Sequence, residues 1–223
     1  MILDINPMKK IIILLFSSFS FSAHSQSMDD KVASEVTALR RKGVNMVVRF
    51  DNDRHGVPAV YKIQGLGEVM VDQEVYLFYK FNEQDMVMKC INYYDSTGSN
   101  SYVATLLPLT ISCDSLLGYA SRNLKKFKGE KIYPFIYKWK HDGDSSYSWL
   151  WGSHPTDLVI EIYLEAEYFR NNLRLDDVDQ YGPKKEVENL NYAHNSNTST
   201  YKIFLMIKDL IEPIERKFTY GRK

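Results

Sequence analysis

The chain is short of the residues that most often announce chemistry. It has two cysteines, Cys90 and Cys113, and five histidines in 223 residues. Two isolated cysteines do not make a structural zinc site, which takes four Cys or His donors. Charge of either sign is not in excess: 28 basic residues balance 28 acidic ones. A neutral chain exerts no long-range pull on phosphate backbones or anionic lipid, so nucleic acid is excluded as an expected partner. The compact catalytic signatures are missing too. There is no HExxH and no GxSxG elbow, and neither cysteine has a histidine beside it. Gly65 and Gly67 in "QGLGEV" lack the strand-to-helix setting of a phosphate loop and read as a turn. No cofactor is implied.

Long apolar runs are absent except near the N-terminus. There, Lys9 and Lys10 precede the apolar run Ile11 to Phe16, and a Ser- and Phe-rich stretch ends in the small residues of "AHS". Charge, apolar core and small residues, in that order, describe a secretory signal peptide. The core is too short to span a bilayer, which takes about 20 apolar residues. Residues 1–25 are therefore expected to be the signal, cut after Ser25, with Met8 as the true start. No cysteine lies at the cut, so a lipoprotein anchor is not expected. The remainder, 26–223, is expected to be one extracytoplasmic domain, periplasmic or secreted, without stable membrane insertion. Losing Asp4, Lys9 and Lys10 leaves it one net negative charge.

What the chain does have is pattern. "SMDDKVASEVTALRRKG" reads as a helix over 28–42. Ser27 caps it, Asp29 and Asp30 suit its positive first turn, Arg40, Arg41 and Lys42 suit its last, and Gly43 stops it. Val32, Val36 and Leu39 share the face that would lie on a sheet. From Val44 the period falls to two. "VNMVVRF", "AVYKI", "EVYLFYKF" and "MVMKCINYY" are strands, the last two joined through a four-residue "NEQD" loop, and "SYVATLLPLTIS" is another. A second helix is expected over 114–128, with Leu116, Leu117, Ala120, Leu124 and Phe127 as its apolar face. "KIYPFIYKWK" and "DLVIEIYLEAEYF" alternate as strands. In the latter, Leu158, Ile160, Ile162, Leu164 and Ala166 point inward, and Glu161, Glu165 and Glu167 point to solvent. "EVENLNYA" and "STYKIFLMI" flank a turn and suggest a last hairpin. The fold class is α+β: mainly antiparallel sheet with two packed helices.

Three groups of residues are candidates for a role. Cys90 and Cys113 are a disulfide candidate, since an oxidising compartment permits pairing, and such a loop would contribute roughly 3 kcal/mol. "HDGDSSYSWLWGSHPTD" (141–157) holds His141, Asp144 and His154, with atoms that suit zinc but in no compact ligand spacing. Asp142 and Gly143 supply what a turn needs, which is the plainer reading. The same stretch holds an aromatic row: Tyr147, Trp149 and Trp151 fall on one strand face, and Tyr137 and Trp139 could lie alongside. An exposed row of this kind could stack on sugar rings or anchor a protein. A buried one would be core, the commoner fate of aromatics, and core is the expectation. "NTS" at 197–199 fits an N-glycosylation pattern. The functional expectation is a non-catalytic binding protein with a protein or glycan partner, for instance a periplasmic inhibitor or immunity-type protein. The alternatives are a hydrolase of cell-envelope material using His141 and His154, or a component of an envelope assembly.

Overall fold

The computed structural model describes residues 27–53, 59–63, 67–95, 97–107, 109, 111–141, 144–150 and 157–217. The expected signal segment 1–25, His55, Trp151 and His154 lie outside them. Helix α1, Met28–Arg41, begins in a capping box: Asp30 N–H donates to Ser27 Oγ at 3.2 Å, and Ser27 N–H to Asp30 Oδ2 at 3.3 Å. It ends at Gly43, whose φ of +91° suits a residue without a Cβ. Its buried residues are Met28, Val32, Val36 and Leu39, the stripe expected from their spacing.

Seven strands form one antiparallel sheet: β1 (Met46–Asp53), β2 (Ala59–Ile63), β3 (Gly67–Phe81), β4 (Gln84–Tyr94), β5 (Asn100–Leu107), β8 (Asp157–Leu164) and β9 (Glu167–Arg174). The spatial order is β5-β4-β3-β1-β8-β9, with β2 paired to β3. β1 is thus central, paired on its two sides with the long β3 and with β8. The β3–β4 loop is two residues rather than four. Asn82 (φ +49°) and Glu83 (φ +61°) make the double left-handed turn whose twist matches two antiparallel strands. The stretch from Asp157 onward is also shorter in its elements than its alternation implied. It is cut into β8 and β9 by a tight turn at Glu165, φ +50°.

Each face of the sheet has its own core. On one, α1 covers Val47, Val75, Leu77, Tyr79 and Cys90. On the other, Val48, Phe50, Tyr76, Phe78, Ile160 and Ile162 pack under α2 (Asp114–Arg122), α3 (Leu124–Gly129) and α6 (Ser199–Lys217). The helix expected over 114–128 is these first two, broken at Asn123, whose amide donates to Tyr119 O at 2.9 Å. The last hairpin does not exist. Residues 192–217 are α5 (Tyr192–Asn195) and α6, and Ile203, Phe204, Ile207, Leu210 and Ile214 recur at helical spacing on the buried side of α6. Burying a side chain of that size contributes about 1.5–3 kcal/mol, which outweighs the modest strand preference of "STYKIF".

The disulfide is not formed either. Cys90 and Cys113 are free, buried thiols in the cores on opposite faces of the sheet. Cys113 Sγ faces Asp85 Oδ1 at 3.4 Å. Burial pushes both thiols up to about 12.

Candidate functional site

Two remaining strands, β6 (Ile136–His141) and β7 (Asp144–Trp149), form a two-stranded sheet of their own. A lone hairpin is marginal in water, so its root is tied down. Phe135, just before β6, is fully buried, and its N–H donates to Asp177 Oδ1 at 2.8 Å. Leu150 N–H donates to Phe135 O at 3.1 Å, and Leu190 N–H to Ile136 O at 2.8 Å. Three asparagines complete the clamp. Asn195 exchanges hydrogen bonds with the backbone of Tyr133, at 2.9 and 2.8 Å, and donates to Asp177 O at 2.7 Å. Asn191 donates to Pro134 O, and Asn189 to Asp177 O and Asp179 O. Asp177 itself is held above the usual carboxylate range by burial, against the opposing pull of the Phe135 N–H.

From that root the hairpin carries large aromatics into solvent. Tyr147 is 69 % exposed, Trp149 53 % and Trp139 49 %. The expectation of core is therefore overturned. The hairpin is a sheet apart, so its strand faces do not become the inner faces of the main sheet. Of the expected row, Tyr147 and Trp149 do share one strand face, but Tyr137 and Trp139 do not lie alongside them. Lys138 pairs with Tyr147 and Ile136 with Trp149, so Tyr147 and Trp149 share one face with Lys138. Tyr137 and Trp139 occupy the other, opposite Ser148 and Ser146. Tyr137 lies edge-on to the buried Phe135, which makes its face the one continuous with the root. His141 and Asp144 are directly paired at the hairpin end, and their side chains lie outside the described residues. Among the described residues, no group of three or more His, Cys, Asp or Glu side chains is placed to hold a metal.

A second polar cluster went unnoticed in the sequence. Arg49 on β1 is buried on the α1 side of the sheet. Its Nη1 donates to Glu161 Oε2 at 2.9 Å, and its Nη2 donates to Asp51 Oδ2 at 3.1 Å and to Asp29. Glu161, expected in solvent, is 2 % exposed. It also accepts from Tyr163 at 2.8 Å and Tyr168 at 2.7 Å, with Arg170 at 3.5 Å. Burial, and then the neighbouring Glu161, raise both tyrosine hydroxyls. For Arg49, burial alone would lower the pKa, but Asp29, Glu161 and Asp51 outweigh it and raise it. Glu161 Oε2 accepts two hydrogen bonds and Oε1 one, with the Arg170 guanidinium beside it. The cluster ties α1 to three strands as a strut. The opposite face has a parallel device: Lys89 Nζ meets Glu74 Oε1 at 3.1 Å and lies 5.3 Å from the centre of the Tyr76 ring.

Among the described residues no helix is long and apolar enough to cross a membrane. Comparison of the chain with known protein families, curated proteins and solved structures finds no match.

Proposed function

We propose that this is an exported, non-catalytic interaction protein that grips a protein partner through the Tyr147, Trp149 and Lys138 face of the β6–β7 hairpin. The observation that carries the reading is the exposure of Tyr147 and Trp149 on a hairpin whose root is locked and whose strands stand apart from the main sheet. Large rigid aromatics supply contact area at little entropic cost, and few residues carry most of the energy of an interface. A fixed root limits the ordering cost that a mobile loop would incur on binding. The signal-like N-terminus supports an extracytoplasmic location, where an inhibitor or immunity-type role would be exercised.

The test is quantitative recovery of a partner from envelope extracts by the immobilised protein, followed by affinity measurement with the recovered partner. Trp149→Ala or Tyr147→Ala is expected to weaken binding by roughly 30-fold, the equivalent of about 2 kcal/mol at an interface anchor. Trp139→Ala, on the opposite face, is expected to change it little. Undiminished binding by the Tyr147 and Trp149 variants would sink the proposal.

A further inference from the structure

The two edges of the seven-stranded sheet are finished differently. β9 carries Glu167, Arg170 and Arg174, charges of the kind that discourage strand addition at an edge. β5 reads Asn-Ser-Tyr-Val-Ala-Thr-Leu-Leu, with no Asp, Glu, Lys or Arg in eight residues. Among the described residues no strand pairs with its outer side. Thr105 and Leu106 are exposed there, Leu106 at 45 %. Beside them, Tyr102, Ala104, Met86 and Met88 form a partly buried apolar margin to the α1-side core.

We infer that β5 pairs antiparallel with β5 of a second copy of this chain, joining two sheets into one across a two-fold axis. Such an axis, perpendicular to the sheet, keeps each face on its own side. Residues facing α1 must then meet residues facing α1, and the order in β5 satisfies this. Centred on Ala104, the pairing sets Tyr102 opposite Leu106 twice on the α1 side. On the other side it sets Val103 opposite Thr105 twice. Aromatic–aliphatic and β-branched pairs are the kind that stabilise adjacent strands, and the smallest side chain lies on the axis, where both copies approach. A self-pairing strand must repel itself nowhere, and a strand without charged residues meets that condition. Of the cations beside the edge, Lys31 lies over the Tyr102 ring at 5.4 Å, and Lys89, the cross-strand partner of Thr105, meets Glu74 at 3.1 Å. Homo-oligomers with two-fold interfaces bury one patch twice, which this geometry provides.

Sedimentation equilibrium of the purified protein over a concentration series tests it. The expected mass is that of two chains at high concentration. Thr105→Lys and Leu106→Lys, both at exposed positions, are expected to raise the dissociation constant at least about tenfold, with the circular dichroism of the fold retained. In a Cys90→Ser background, needed because Cys90 is the cross-strand partner of Ala104 within the chain, Ala104→Cys is expected to give an interchain disulfide on mild oxidation, because that residue meets itself within bridging distance. Asn100→Cys, near the strand end, is expected to give none. Wild-type protein that sediments as one chain throughout would overturn the inference, as would a dimer whose mass both lysine variants leave unchanged. Cross-linking through Asn100→Cys in preference to Ala104→Cys would overturn the pairing.

Discussion

Replacing Arg49 with alanine puts the buried charge cluster to its hardest test. The substitution leaves two carboxylates, Asp51 and Glu161, inside the protein with 7 % and 2 % of their side chains exposed and without the guanidinium they share. Asp29, 63 % exposed, loses little, because water replaces its partner. Removing one member of a buried ion pair costs about 3–5 kcal/mol, mostly through the uncompensated charge left behind. For a domain of this size each kcal/mol moves the midpoint of thermal unfolding by about 2–4 °C, so a fall of roughly 6–20 °C is expected. Urea unfolding followed by far-ultraviolet circular dichroism reads the change as a shifted midpoint with an unchanged slope. Arg170→Ala is the control. Arg170 also faces Glu161, at 3.5 Å, but is 48 % exposed, and its loss is expected to cost less than about 1 kcal/mol. Combining Arg49→Met with Asp51→Asn and Glu161→Gln is expected to recover part of the loss, since no charge then remains buried without a counter-ion. A loss below about 1 kcal/mol for Arg49→Ala would refute the reasoning, since it would mean that the carboxylates are not trapped where they sit.

Two further outcomes follow from buried groups elsewhere. Cys90 and Cys113, free and pushed up to about 12, are expected to resist a thiol reagent in the folded protein and to react fully in guanidinium, at two thiols per chain. Their folded pKa values lie above the unfolded ones, so the stability they contribute is complete below about pH 9 and is lost as pH rises towards about 12. Tyr79, also pushed up to about 12 by burial, adds to the same alkaline loss. Glu130 accepts from Ser199 N–H at 2.8 Å and Thr200 N–H at 3.1 Å, holding a carboxylate against the first turn of α6. Glu130→Ala is expected to cost about 1–2 kcal/mol. Faster amide exchange at Ser199 and Thr200 would accompany the loss, and unchanged exchange would argue against the cap.

The elements legible in the sequence were those whose local and tertiary preferences agree. In α1 the cap, the charge placement, the apolar stripe and the terminal glycine all say helix, and the structure keeps each one. β1, β3, β4 and β8 were legible as strands from their β-branched and aromatic runs, but both faces of the sheet are covered, so which side chains are buried was not, and Glu161, expected in solvent, is inside. The α6 segment was misread because Ile203 and its β-branched neighbours favour strand locally, whereas five apolar residues on one helical stripe are decided by what they pack on. The hairpin aromatics were misjudged for a related reason. A run such as "YSWLW" states that two faces exist but not what lies beyond either one.

By itself, the sequence determined the fold class, the position of the first helix and the antiparallel pairing of neighbouring strands. Each of these depends on residues close together in the chain, where spacing alone sets which side chains share a face. Only the tertiary structure decided that Arg49 meets Glu161 across 112 positions, that the two thiols lie on opposite faces of the sheet, and that Tyr147 and Trp149 face water. Pairings of that kind depend on strand order and register, which are chosen by the whole core at once and leave no periodic trace in any one segment.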